Sequence, residues 1–146
     1  MPQIEIPKFN ADSTYSLTEK IVAMSPRVTG SEGAKKVKNW LIAQFKRFGV
    51  ETIEQNFTAT VYTGAKLPAT NIIARINPQA TLRILLSAHW DSRPFADKDS
   101  DSTQQNRPIL GADDSASSVA MLLELARQLQ ATPLSNVGFD IVLFDA

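Results

Sequence analysis

Apolar positions along this chain change their spacing several times, and each change marks a new element. Leu17, Ile21 and Val22 recur at helical spacing as far as about Met24, with Ser13 or Thr14 as the cap. Pro26 blocks continuation, so Ser25 to Gly30 reads as a loop. Ser31 caps a second helix, and Glu32 in its first turn suits the positive end of the helix dipole. Ala34, Val37, Leu41, Phe45 and Phe48 form its apolar stripe, and Gly49 stops it. The lysines and Arg47 between those positions read as a solvated face. Phe57, Ala59 and Val61 then alternate with Thr58, Thr60 and Tyr62, the period of a strand with one wet face. Gly64 makes a turn. Thr70 to Ile76 and Leu82 to Ala88 read as two further strands. The second is almost continuously apolar, as a central strand covered on both faces would be. Residues 91–110 carry Pro94, Pro108 and alternating aspartates and read as a long loop, a type that is often functional. Val119, Leu122, Leu123, Ala126 and Leu129 predict a helix from about Ser115 to Gln130, and Val137 to Phe144 a last buried strand. Residues 1–12 show little pattern and read as an extended arm.

The order helix, helix, three strands, helix, strand is that of an α/β protein. It predicts a three-layer sandwich with a mixed, mostly parallel central sheet, in a single domain over 1–146. Fifteen basic and fifteen acidic residues cancel, which argues against nucleic acid or an anionic membrane as partner. No apolar run reaches the roughly eighteen residues of a membrane span, and the first residues show no signal-peptide pattern. With no cysteine, disulfides, thiolate metal sites and cysteine nucleophiles are excluded.

Candidate chemistry gathers at two places. The apolar strand Ile84–Ala88 runs into His89-Trp90-Asp91-Ser92, and His89 is the only histidine. Gly111-Ala112-Asp113-Asp114-Ser115 opens the third helix. A strand ending in His-x-Asp and a helix beginning in Asp-Asp can bring imidazole and carboxylate to one end of a sheet, which is the chemistry of a zinc site. Each piece also has a plainer reading. A lone histidine is commonly a hydrogen-bonded structural residue, and an aspartate at a helix start is commonly its cap. One aspartate suffices for capping, which leaves the other for a cation; Asp91 can take the second imidazole N–H, as carboxylates beside metal-bound histidines do. Asp97 to Asp101 begins like a calcium loop, but Ser102 stands where glycine is required and Pro108 where glutamate is, so it reads as a solvated acidic loop. Asn56-Phe57-Thr58 matches a glycosylation triplet inside a predicted strand.

The stretches His89-Trp90-Asp91-Ser92-Arg93-Pro94-Phe95-Ala96-Asp97, Pro108-Ile109-Leu110-Gly111-Ala112-Asp113-Asp114-Ser115-Ala116 and Met121–Arg127 together resemble the M28 zinc peptidase family, and within it the bacterial glutaminyl-cyclase-like members. Arg27 with Gly30-Ser31, and Thr70–Ile73, resemble weaker family positions. The resemblance implies a zinc-exopeptidase-like fold, incomplete at its C-terminal side. It implies Zn²⁺ as cofactor, with His89 and Asp114 as metal ligands, Asp91 as the catalytic carboxylate beside the histidine, and Trp90 and Arg93 as substrate-binding. In cyclase-like members the His89 and Asp91 positions serve structure or substrate positioning instead. It further implies a cis Asp114–Ser115 peptide bond. The family's acidic general base and remaining ligands fall beyond Ala146, so the chain is expected to be the N-terminal part of a protein about twice as long, with a weak zinc site of its own. The activity implied for the parent is glutaminyl-peptide cyclotransferase, with zinc aminopeptidase as the alternative. A catalytically inactive fragment or folding module is a further alternative for this chain alone. Peptide or protein N-termini are the implied substrates, self-association of the truncated chain is expected, and the family's habit points to an exported parent.

Overall fold

A computed structural model describes residues 7–146. Helix α1 spans Ala11–Ala23 and α2 Glu32–Arg47. Strands β1 (Glu51–Thr60), β2 (Lys66–Ile76) and β3 (Leu82–His89) follow; then come a π-type turn at Ala112–Ser117, helix α3 (Ser118–Ala131) and strand β4 (Val137–Phe144). The expected order of elements holds. The cap of α1 is Asn10, whose side chain accepts from the Ser13 amide at 2.9 Å; Thr14 instead donates its hydroxyl back to the Asn10 carbonyl. Ser31 caps α2 as expected, accepting from the Ala34 amide at 3.1 Å. Gly49 closes that helix at φ +77°, a left-handed conformation that glycine adopts without a Cβ penalty.

The sheet is mixed, in the order β1-β2-β4-β3. β2 runs antiparallel to both of its neighbours, while β3 and β4 are parallel and joined through α3. Three strands therefore point one way. Because β2 lies between two of them, only one of the three ladders is parallel, not most of the sheet. A five-residue hairpin connection from β1 forces this direction on β2. The expectation of a central, doubly covered β3 is also corrected: β3 is an edge strand, with Leu82, Ile84 and Leu85 exposed, and β4 takes the central place beside β2. β1 starts six residues before the visible alternation. Its first half, with Ile53 as the one apolar residue, pairs largely through polar side chains, as in the Asn71–Gln55 bond at 2.8 Å.

All three helices cover one face. Ile72, Ala74 and Ile76 of β2 lie in register with Leu143, Ile141 and Phe139 of β4, and Leu86 and Ala88 of β3 continue the row. Onto it pack Val37, Leu41 and Phe45 of α2, Val119, Leu123 and Ala126 of α3, and Leu17 and Ile21 of α1. Burying each large apolar side chain contributes about 1.5–3 kcal/mol, so this single cluster holds the layers together. The opposite face carries Ile53, Ile73, Val142, Leu85 and Phe144 among polar residues, and none of the described helices packs there. Of the expected three layers, the described residues build two.

Candidate metal centre at the strand exit

His89 is the last residue of β3, and the Trp90 amide extends the ladder by one bond to the Phe144 carbonyl at 2.8 Å. Alternation then decides directions. His89 points out to the uncovered side and is 44% exposed, while Trp90 points into the core with 1% exposed. Trp90 donates its indole N–H to the Thr70 carbonyl at 3.0 Å. Trp90, expected to bind substrate, is therefore not brought to the His89–Asp114 pair: adjacent strand residues face opposite ways, and this one packs into the core.

Twenty-two residues after His89, Gly111 turns the chain at φ +61° into the π-type turn. Asp114 sits there in extended conformation, and the bond to Ser115 is cis, as the resemblance implied. The Ser115 hydroxyl donates to the His89 carbonyl, locking turn to strand. Neither Asp113 nor Asp114 caps a helix: α3 starts at Ser118, and Ser117 before it makes no side-chain cap bond, so the plain capping reading falls away. The Asp114 carboxylate, 70% exposed, instead meets His89 Nε2 at 2.5 Å, and on the other side of the ring Asp91 meets Nδ1 at 3.1 Å. Partial burial opposes charge on the imidazole. The bonds to Asp114 and Asp91 and their negative charges outweigh it, and the histidine is held above its ordinary pKa.

The other predicted site residue, Arg93, is not brought to this pair. It lies in the loop 91–110 and forms an ion pair with Asp97, while its carbonyl accepts from the Ile109 amide. The acidic run of the same loop makes local turns, with Asp101 accepting from the amide and hydroxyl of Thr103. Two buried groups near the site were not among the expected site residues, Arg27 having stood only as a weaker family position. Arg27 lies fully buried behind it, where burial lowers its pKa and the charges of Asp91 and Asp114 counter that effect. Asp145, following β4, accepts from the Thr29 hydroxyl and the Thr70 amide, each at 2.8 Å. Burial pushes its pKa up despite those bonds.

Imidazole nitrogen and carboxylate oxygen are zinc-type donors. Their direct contact at 2.5 Å would have to open to about 3.3 Å for a tetrahedral ion to sit between them at ordinary bond lengths. Among the described residues no three His, Asp or Glu side chains are grouped to hold a metal. The pair thus fits part of a zinc site, with Asp91 placed to orient the histidine.

A mixed α/β sheet presenting imidazole and carboxylate at one strand end defines the class, and comparison with known proteins gives the family. The model of peptidase family M28 matches residues 71–146. The Drosophila melanogaster glutaminyl-peptide cyclotransferase is 32% identical over 82% of this chain and 32% of its own length. The glutaminyl cyclase of Tannerella forsythia is 46% identical with a TM-score of 0.92, over 96% of this chain and 48% of that one. A Zn-dependent exopeptidase of Parabacteroides distasonis is 43% identical with a TM-score of 0.94, over 97% and 48% respectively. The chain belongs to peptidase family M28. It spans about half the length of these solved relatives and a third of the curated one.

Proposed function

We propose that the whole protein is a zinc-dependent enzyme acting on peptide N-termini, and that its reaction is glutaminyl-peptide cyclotransfer. The observation that carries this is the His89–Asp114 pair at 2.5 Å with Asp91 behind the ring, in a chain 46% identical to a glutaminyl cyclase. In that reaction the α-amine of an N-terminal glutamine attacks its own γ-carboxamide carbon, ammonia leaves, and pyroglutamate remains. Zinc bound at this site would supply a Lewis acid for the carbonyl under attack. For the cyclase, Asp114 is the ligand this chain would contribute, with His89 held against it at 2.5 Å as a positioning residue. Asp91 fixes the tautomer of His89 through Nδ1 and acts as a positioning carboxylate. Likeness to a Zn-dependent exopeptidase supports a second reading, hydrolysis of the first peptide bond, in which His89 as well as Asp114 would hold metal.

The assay separates the two. Full-length protein with zinc is given a glutamine-initiated peptide and a leucine anilide. Ammonia release without anilide cleavage supports the cyclase; the reverse supports the aminopeptidase; neither rejects the proposal. The 146-residue chain by itself is expected to bind zinc weakly and turn over neither substrate, since its described residues group only two such donors. Tight stoichiometric zinc in a calorimetric titration would overturn that. Self-association of this chain through its uncovered sheet face, and export of the parent, belong to the same reading.

A further inference from the structure

Arg27 is wholly buried, yet none of its hydrogen bonds goes to a carboxylate. Nε donates to the Trp90 carbonyl at 2.6 Å. Nη1 donates to the Leu110 carbonyl at 2.5 Å and to the Ser25 hydroxyl at 2.9 Å, and Nη2 to the Gly111 carbonyl at 2.8 Å. Its own amide donates to Ser92 Oγ at 3.1 Å, and its carbonyl accepts from the Ser92 amide at 3.2 Å. Apart from Ser25, these partners lie in two segments, residues 90–92 and 110–111. The first follows His89 and contains Asp91; the second leads into the turn that carries Asp114.

A buried cation needs compensating charge nearby. Here the nearby negative charges are Asp91 and Asp114, both free of direct bonds to the guanidinium and both bonded to His89. Gly111 shows how close the approach is. A Cβ at that position would lie 2.9 Å from Arg27 Nη2 and 2.4 Å from the Asp114 carbonyl. Only a residue without a side chain lets the guanidinium reach the loop.

We infer that Arg27 is the positioning residue of the His89–Asp114 site, tying the strand exit 90–92 to the loop 110–111 and so setting the approach of Asp114 to the imidazole. This rests on the reading of that pair as the functional site. A planar fork with donors in fixed directions is what spans two carbonyl-bearing segments, and a lysine ammonium cannot reproduce it.

His89 is the only histidine, so its ring N–H resonances are unambiguous in a nitrogen-15 NMR spectrum. In Arg27→Lys and in Gly111→Ala the hydrogen-bonded ring resonance is expected to be lost or strongly shifted, while amides of α2 and the β1–β2 hairpin keep their positions. Ser31→Ala, which weakens α2 alone, should leave the ring resonances alone. Folded variants with unchanged His89 resonances would overturn the inference. Should Arg27→Lys fail to fold, Ser25→Ala decides, because it retains the guanidinium and removes one of its anchors without touching the Asp114 loop; the ring resonances should then shift in the same direction by less. In the full-length enzyme Arg27→Lys or Gly111→Ala should lower kcat about a hundredfold with little change in KM. A rise in KM at unchanged kcat would count against positioning. If the full-length protein turns over no substrate while the ring resonances still respond, the proposed activity fails and the positioning role stands.

Discussion

Gly33 lies in the first turn of α2, where alanine would ordinarily stabilise a helix by up to about 1 kcal/mol. Here a Cβ would lie 1.9 Å from the Pro26 carbonyl oxygen, a backbone atom that cannot swing aside. Gly33→Ala is therefore expected to destabilise by about 1–3 kcal/mol or more, read from the urea midpoint. Trp90→Phe tests the core role of that residue. It strands the Thr70 carbonyl and should cost about 1–3 kcal/mol while leaving the His89 ring resonances in place. Two aspartates near the end of the chain should respond to pH with opposite sign. Bonds from Arg83, and then Arg75, hold Asp140 below the usual carboxylate range. Its contribution is full above the unfolded value near pH 4 and is lost as pH falls through the lower folded one. Asp145 is raised by burial, so its ionisation costs stability as pH rises from the unfolded value through the folded one. Asp140→Asn should flatten the acid limb of a stability–pH curve measured by urea unfolding between pH 2 and 7; an unchanged limb would remove Asp140 from that account. At this scale His89, Asp91 and Asp114 were legible, because a strand exit and a helix entry joined by one loop meet at the same sheet end. The role expected of Trp90 came from resemblance alone, and alternation at the strand exit sends it to the side opposite His89. Arg27 showed only as a weaker family position and its role was not legible, since most of its partners are backbone carbonyls that any sequence possesses.

Elements were legible where burial imposed a period. α2 shows this best: Ala34, Val37, Leu41 and Phe45 are all buried as their spacing predicts, and Ser31 caps it. Ser31→Ala is expected to cost about 0.5–2 kcal/mol in thermal or urea unfolding. The first half of β1 was not legible, because an edge strand whose residues pair through amides and hydroxyls has no apolar period to show. β3 was misassigned for the opposite reason. Ile84, Leu85 and Leu86 look like a strand covered on both faces, yet in the described residues its second edge and one face are open. The turn at Ala112–Ser117 followed the helical pattern in sequence, but there Asp114 leaves helical geometry to face the imidazole.

The sheet presents exposed apolar residues on the side away from the helices, with Leu85 63% and Ile53 51% exposed at its two edges. Exposed apolar surface beside an unpaired edge favours association. Sedimentation of the 146-residue chain is expected to show concentration-dependent oligomers that Leu85→Lys suppresses. A monomer at every concentration would refute this. The sequence by itself determined the α/β order, the phase of each buried helix face, and the two short motifs that bear the chemistry, because hydrophobic period and turn residues are local properties. Only the tertiary structure decided which strand lies at the edge, which face remains open, and which side of the chain Trp90 takes. It alone set the 2.5 Å meeting of His89 and Asp114, since these depend on contacts between residues far apart in the chain, where no local pattern records the partner.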